Sequence, residues 1–329
     1  MGWAAGATTV PSPARSGRRG LRTPPARPSR LLRSRAWGAH RRATGSRAAT
    51  APATRPEPKI GGPVAGGARV YWEVAKRGFR RYSTYRAATV AGVVTNSVFA
   101  FIRAYILIAI FRQRAHIGGF DVRDALTYTF VSQGFLMPMA MFGWYDIEQR
   151  VRTGDIVSDL YRPVDFQGYW FALDGGRALY QAMARGVPPV LVGAVFFSLR
   201  APPVAALPVF AVSCVLGLAV SFALRFLTNL LSFWIIDVRG PAQVLVMVEL
   251  FLGGVVLPIA LFPRTLEVLA RALPFASIAQ LPLEVYLGKH PGVDALTTLA
   301  VQAAWAAALL LAGRAVLGAV MRKLAVQGG

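Results

Sequence analysis

Cysteine, histidine, lysine and acidic residues are all scarce in this chain of 329 residues. The single cysteine, Cys214, lies in an apolar run, which excludes an intrachain disulfide and any cysteine-based metal site. The three histidines, His40, His116 and His290, stand far apart without ligand spacing, so no metal centre is expected. Charged residues make up only 16% of the chain, against about 25% in soluble domains, and 54% of residues are apolar. That balance points to a membrane protein. None of the four lysines completes a GxxxxGK[ST] phosphate loop: only Lys289 follows a glycine, Gly288, and His290 comes next. ATP hydrolysis by this chain is therefore not expected. Neither a GxSxG elbow nor an HExxH zinc motif occurs, and Glu249 is the only carboxylate deep inside an apolar run. Catalysis by the chain alone is not expected, and no cofactor of its own is implied.

The net charge of +22 would suggest nucleic-acid binding if it were spread along the chain. Residues 1–87 hold 19 of the 37 Lys and Arg and 2 of the 15 acids, so the remainder carries only +5, ordinary for a membrane protein with basic cytoplasmic ends. Residues 1–68 are rich in Arg, Ala, Pro, Ser and Gly with almost no periodic apolar positions. Such a composition cannot bury enough surface to offset chain entropy, and disorder is expected. The functional alternative is a basic arm, but the favoured reading is a dispensable extension, a mis-called start, with Val70 a sensible beginning. No nucleic-acid partner is implied.

Residues 69–87 interleave Tyr71, Trp72, Phe79, Tyr82 and Tyr85 with Lys76, Arg77, Arg80, Arg81 and Arg86. This pattern suits an amphipathic helix in the headgroup layer, rings toward the acyl chains and cations toward anionic lipid. Six apolar stretches follow, at about 88–111, 124–145, 179–199, 204–236, 242–262 and 295–320. Each approaches the ~20 residues needed to cross ~30 Å of hydrocarbon. The expected fold is an all-α integral membrane protein with six transmembrane helices in the 88–329 region. Segments on the side of both termini hold 16 Lys and Arg beyond the tail, and those opposite hold seven. The positive-inside rule places both termini in the cytoplasm. The loop at 146–178 is then cytoplasmic. The half-apolar segment 263–294, interrupted by Pro263, Pro274 and Pro282, is an external hairpin of short helices, re-entrant where protein shields its backbone.

Few polar groups fall within the spans. The spacing suggests Arg225 as an ion-pair partner for Glu249, because an unpaired charge in hydrocarbon is costly. Arg103 either snorkels outward or faces a partner subunit. Asn96, Gln133 and Asn229 are expected to hydrogen-bond between helices. In the loop 148–163, EQRVRTGDIVSDLYRP, Gly154 permits a sharp bend and Asp155 can cap a second helix. That helix carries Ile156 and Leu160 on one side before Pro163 ends it. It is either a docking surface or an ordinary solvated loop.

This layout resembles the type-2 ATP-binding-cassette (ABC) exporter permeases. The resemblance rests on a pattern close to E-x(5)-G-[TDE]-[IL]-x(3)-L-x-x-P, here Glu148, Gly154, Asp155, Ile156, Leu160 and Pro163. It rests also on the amphipathic entrance to the first span and on Leu273-Pro274-Phe275, Pro282 and Tyr286-Leu287-Gly288. The resemblance covers residues 70–329. It implies that 148–163 is a coupling helix inserted into a separate cytoplasmic ATPase, with Leu160 as apolar knob and Arg162 or the acids as charge partners. It also implies a dimer, homo- or heteromeric, in the inner membrane of a bacterium, with ATP and Mg hydrolysed by the partner and the external hairpin acting as a lid. Two readings from other classes stand beside it: an ATP-independent carrier coupled through Glu249, and a non-transporting scaffold. Sparse fixed charge suits a hydrophobic or amphipathic cargo, whether lipid, peptide or drug.

Overall fold

The computed structural model describes residues 67–327 except 142 and 236, all within one unit running from Pro56 to Gly329. The expectations for the N-terminal extension fall on residues 1–66, outside the described residues. The described chain is all-helical, with no strand beyond an isolated bridge between Ile117 and Phe120.

Helix α1, Ala68–Ser83, is the expected amphipathic helix, with Arg80 and Arg81 in its last turn where they complement the helix dipole. One face exposes Trp72, while the other buries Val74 and Gly78. That second face meets α6, Phe166–Gln181, with no room to spare. A Cβ at Gly176 would overlap the Ala75 carbonyl, and one at Gly78 would overlap that of Leu173. Gly176→Leu is therefore expected to lower the thermal-unfolding midpoint of the detergent-purified protein, by an overpacking cost of about 1–3 kcal/mol or more. Its neighbour Gly175 has open space around its Cβ position, so Gly175→Leu should leave the midpoint unchanged.

The helices that follow can be set against the six expected spans one by one. Helix α2, Arg86–Phe111, matches the first expected span. The second does not: α3, Val122–Leu136, stops after 15 residues, and residues 137–141 and 143–145 are irregular. Pro138 supplies a reason, since it lacks the N–H that would continue the helical ladder, and Ala140 follows at φ 51°. At 1.5 Å per residue α3 is ~22 Å long, short of a bilayer by itself. The third pass starts earlier than expected. Asp165 caps α6 by accepting from the Gly168 N–H at 2.6 Å, and helix continues through a π turn, Ala182–Gly186, into α7, Val187–Phe196. Residues 166–178 are thus helix rather than loop.

Helix α8, Ala206–Leu230, ends in a 3-10 turn at Leu231–Phe233 and forms the continuous fourth pass. The fifth, expected at 242–262, breaks: α9, Arg239–Leu252, gives way to Gly253-Gly254, with Gly254 at φ 78°. A glycine adopts that left-handed conformation without steric cost. The last pass, α12, Val293–Gln327, is the longest helix. Three helices, Arg86–Phe111, Ala206–Phe233 and Val293–Lys323, are long and apolar enough to cross a membrane. The 263–294 segment forms α10, Arg264–Ala272, a 3-10 turn at Pro274–Ser277 and α11, Gln280–Tyr286. The helix breaks fall beside Pro263 and Pro274. Pro282 lies in the first turn of α11, where its missing N–H has no intrahelical partner to lose.

Candidate functional site

At one end of the bundle, the chain between α3 and α6 folds into an elbow. Helix α4, Asp146–Thr153, ends at Gly154 with φ 78°, and α5, Ile156–Leu160, leaves at a new angle. The bend expected at Gly154 is present. Asp155 does not cap α5; its carboxylate accepts from the Thr153 hydroxyl at 2.9 Å, and its own backbone is helical, a conformation unlike that of a capping residue.

The elbow is clipped to the bundle. Asn229, on the last turn of α8, accepts from the Glu148 N–H at 3.1 Å and donates to the Trp144 and Arg225 carbonyls at 2.7 and 2.8 Å. Glu148 is 1% exposed and accepts from Arg152 at 3.2 Å, so it faces the helical bundle and not solvent. Asp159 is buried between Arg150 and Arg162, the latter at 3.0 Å. Arg162 also lies over the Tyr169 ring at 5.0 Å. Arg81 of α1 pairs with Asp146 at 2.8 Å, tying the amphipathic helix to the same elbow. Ile147 and Ile156 pack with Trp144, Phe166, Trp170, Phe222, Phe226 and Leu230, and Leu160 lies against that cluster.

Leu160 is therefore not the outward knob; its i, i+4 relation to Ile156 places both on the inner face. The outward apolar pair is Val157 and Tyr161, 50% and 56% exposed. Pro163 is exposed and follows the turn that ends α5.

Behind the elbow lies an ion cluster. Asp174 of α6 is fully surrounded by protein and accepts from Arg177 at 2.7 Å and Arg225 at 2.9 Å. Arg177 donates to the Met137 and Pro138 carbonyls, both at 2.6 Å, and Ser221 to that of Met139 at 2.7 Å. These bonds satisfy the carbonyls that the early end of α3 leaves without helical partners. The expected Arg225–Glu249 pair is corrected: Arg225 is taken by Asp174, and both Glu249 oxygens are buried without a hydrogen-bond partner. Arg103 turns inward rather than snorkelling, its Nη1 3.4 Å from the Ser132 hydroxyl and its Nη2 buried without a partner. Gln133 is buried on α3, and the buried Asn96 Nδ2 finds no partner, so of the three amides Asn229 is the one woven into the elbow.

The opposite end is laced by charge as well. Lys289, just after the left-handed Gly288, pairs with Asp124 at 2.5 Å, and Arg200 pairs with Asp121 at 2.8 Å and Asp124 at 2.7 Å. Partial burial opposes ionisation of Asp121, but the Asp124 and Arg123 N–H groups, Arg200 and Lys289 outweigh it and hold its pKa below the usual range. Gln280 of α11 donates to Glu284, which also takes Arg271 at 2.8 Å and His290 at 2.9 Å. Pro274 is buried, Leu273 and Phe275 half-buried, and Tyr286 packs edge-on against Phe210 of α8 at 5.3 Å.

Asp159, Asp174, Arg177, Val157 and Tyr161 were not singled out by sequence reasoning. Asp174 and Arg177 sit at i, i+3 beside an apolar run, a pairing that would have been legible had the helix been extended back to Asp165.

The fold and this site define an all-helical membrane protein whose elbow is braced from within. The chain belongs to the ABC-2 transporter family: the family model described as "ABC-2 family transporter protein" matches residues 98–328. Comparison with curated proteins and with solved structures finds no match.

Proposed function

We propose that the chain is the permease subunit of an ATP-driven ABC exporter in a bacterial inner membrane, with six spans and both termini cytoplasmic. The observation that carries this reading, beside family membership, is the elbow. It is fastened through Asn229 to α8 and presents Val157 and Tyr161 outward. An exposed apolar pair on a braced bend is a suitable knob for the cleft of a cytoplasmic ATPase, which would bind ATP and Mg and hydrolyse it in this chain's stead.

A push on the elbow has a contiguous route inward, from Glu148 and Trp144 through Asn229 to Arg225, Asp174 and Arg177, and so to the break after α3. A bistable element is needed at the far end of such a route, and the interrupted pass at 137–145 is well placed to supply it. Two copies, or this chain and a second permease, would enclose the translocation path. The 263–294 hairpin, contacting α8 at Gly217 near mid-helix, would act as re-entrant lid.

Affinity purification of the full chain from its native membrane should bring down an ATPase subunit, and the reconstituted complex should move its cargo only with hydrolysable ATP. Transport by the purified chain without nucleotide would overturn the reading. It would favour instead an ATP-independent carrier using Glu249, the specific support for which is that residue's unpartnered carboxylate.

A further inference from the structure

A cavity of about 320 Å³ lies between the end of α3, the π turn and α7, the N-terminal part of α8 and α11. No charged side chain lines it. Both of its helical walls are irregular: α3 has stopped at Leu136 just before the lining residues Pro138 and Met139, and the π turn Ala182–Gly186 forms the facing edge. At membrane depth, irregular backbone is tolerated where protein buries it or it lines a cavity, and π turns gather at functional sites. Gly134 and Gly186 bring the two walls together, each Cβ position lying about 3 Å from the other residue's carbonyl.

The chemistry of the lining selects the occupant. Water needs two to four polar partners to stay, and among the lining side chains only Cys214 and Tyr286 carry a polar atom. An empty apolar space of this size forfeits dispersion contacts on every wall. The mouth opens past Val187 and Leu191, 49% and 61% exposed, residues on a helix whose outer face is apolar. The cavity has room for a stretch of one acyl chain, and a lining without a charged side chain offers a polar headgroup nothing to pair with.

We propose that this pocket binds one acyl chain of a membrane phospholipid, entering from the bilayer beside α7. The inference rests on membrane embedding and not on coupling to an ATPase. An acyl chain there would lie against Pro138 and Met139, whose backbone is strapped by Arg177 and Ser221. It would thus brace the interrupted second pass.

The test uses the full chain in nanodiscs containing phosphatidylcholine with a diazirine in its acyl chain, without ATPase or nucleotide. After irradiation, adducts mapped by peptide mass spectrometry should be several-fold more abundant at Phe210, Cys214 and Val190 than at Val94 and Val98, which are simply exposed on α2. Val190→Phe, which fills the pocket, should abolish the pocket adducts and leave those on α2 unchanged. Equal adduct density at the two places in the unmodified chain would overturn the proposal, whatever the variant does. So would pocket adducts that persist in a folded Val190→Phe protein. Labelling by diazirine-bearing palmitic acid but not by the phospholipid would also overturn it, and would assign the pocket to a free amphiphile.

Discussion

Asp174→Ala is expected to be the most damaging single truncation in the described part of the chain. Asp174 is the sole carboxylate hydrogen-bonded to Arg177 and Arg225, which are 5% and 3% exposed. Removing it leaves two guanidinium groups facing each other inside an apolar bundle. Breaking a buried pair from one side costs about 3–5 kcal/mol, because the surviving charge has lost its partner but not regained water. Two survivors place the cost at the upper end of that range. The loss should spread to the second pass, since Arg177 also holds the Met137 and Pro138 carbonyls.

Thermal unfolding followed by size-exclusion fluorescence in detergent is the measurement, and a large drop or complete aggregation is the expected outcome. Asp174→Asn, which preserves shape but removes the charge, should fall nearly as far. Glu249→Gln supplies the contrast. Its carboxyl group has no hydrogen-bond partner, so replacing it by an amide removes no native contact and should leave the midpoint nearly unchanged. Equal losses for Asp174→Asn and Glu249→Gln would contradict the assignment of Asp174 as hub.

The second large effect concerns partner binding and not folding. Val157 and Tyr161 are half-exposed, with side chains directed away from the cluster that holds Ile156 and Leu160. Changing both to glutamate should leave expression, membrane insertion and the melting profile intact. In the proposed complex, however, two carboxylates would be driven into an apolar contact. Central hot-spot losses are about 2 kcal/mol or more, and each 1.4 kcal/mol is tenfold. ATPase retention in pull-downs should therefore weaken on the order of 30-fold or more.

Leu160→Glu separates this arrangement from the one in which Leu160 itself is the knob. Leu160 packs inward, so that variant should lose folded protein before it loses its partner. A well-folded Leu160→Glu chain that binds no ATPase, beside an unaffected Val157→Glu, Tyr161→Glu chain, would reverse the assignment.

The elbow illustrates how far one-dimensional reading reaches. Glu148, Gly154, Ile156, Leu160 and Pro163 mark a bent helical segment by their spacing, and the bend is where Gly154 puts it. Which face is turned outward is a different matter. A five-residue helix has too few turns for its periodicity to declare a buried side, and here the partners that decide it come from α6 and from the distant α8. The same limit explains Arg225. Counting residues along two apolar runs brings it near Glu249, yet the carboxylate that reaches it belongs to α6, which hydropathy had assigned to a loop.

Residue order alone therefore determined the class of the protein, the amphipathic first helix, the long apolar helices expected at about 88–111, 204–236 and 295–320, and the succession of short helices after Pro263. Those properties follow from composition and local periodicity, which act between neighbours. Only the tertiary structure decided where passes two and five break, which arginine meets which acid, and which apolar pair of the elbow is left uncovered. Each of these depends on groups distant in the chain competing for the same buried partner, and burial makes that choice worth several kcal/mol while leaving no mark on local spacing.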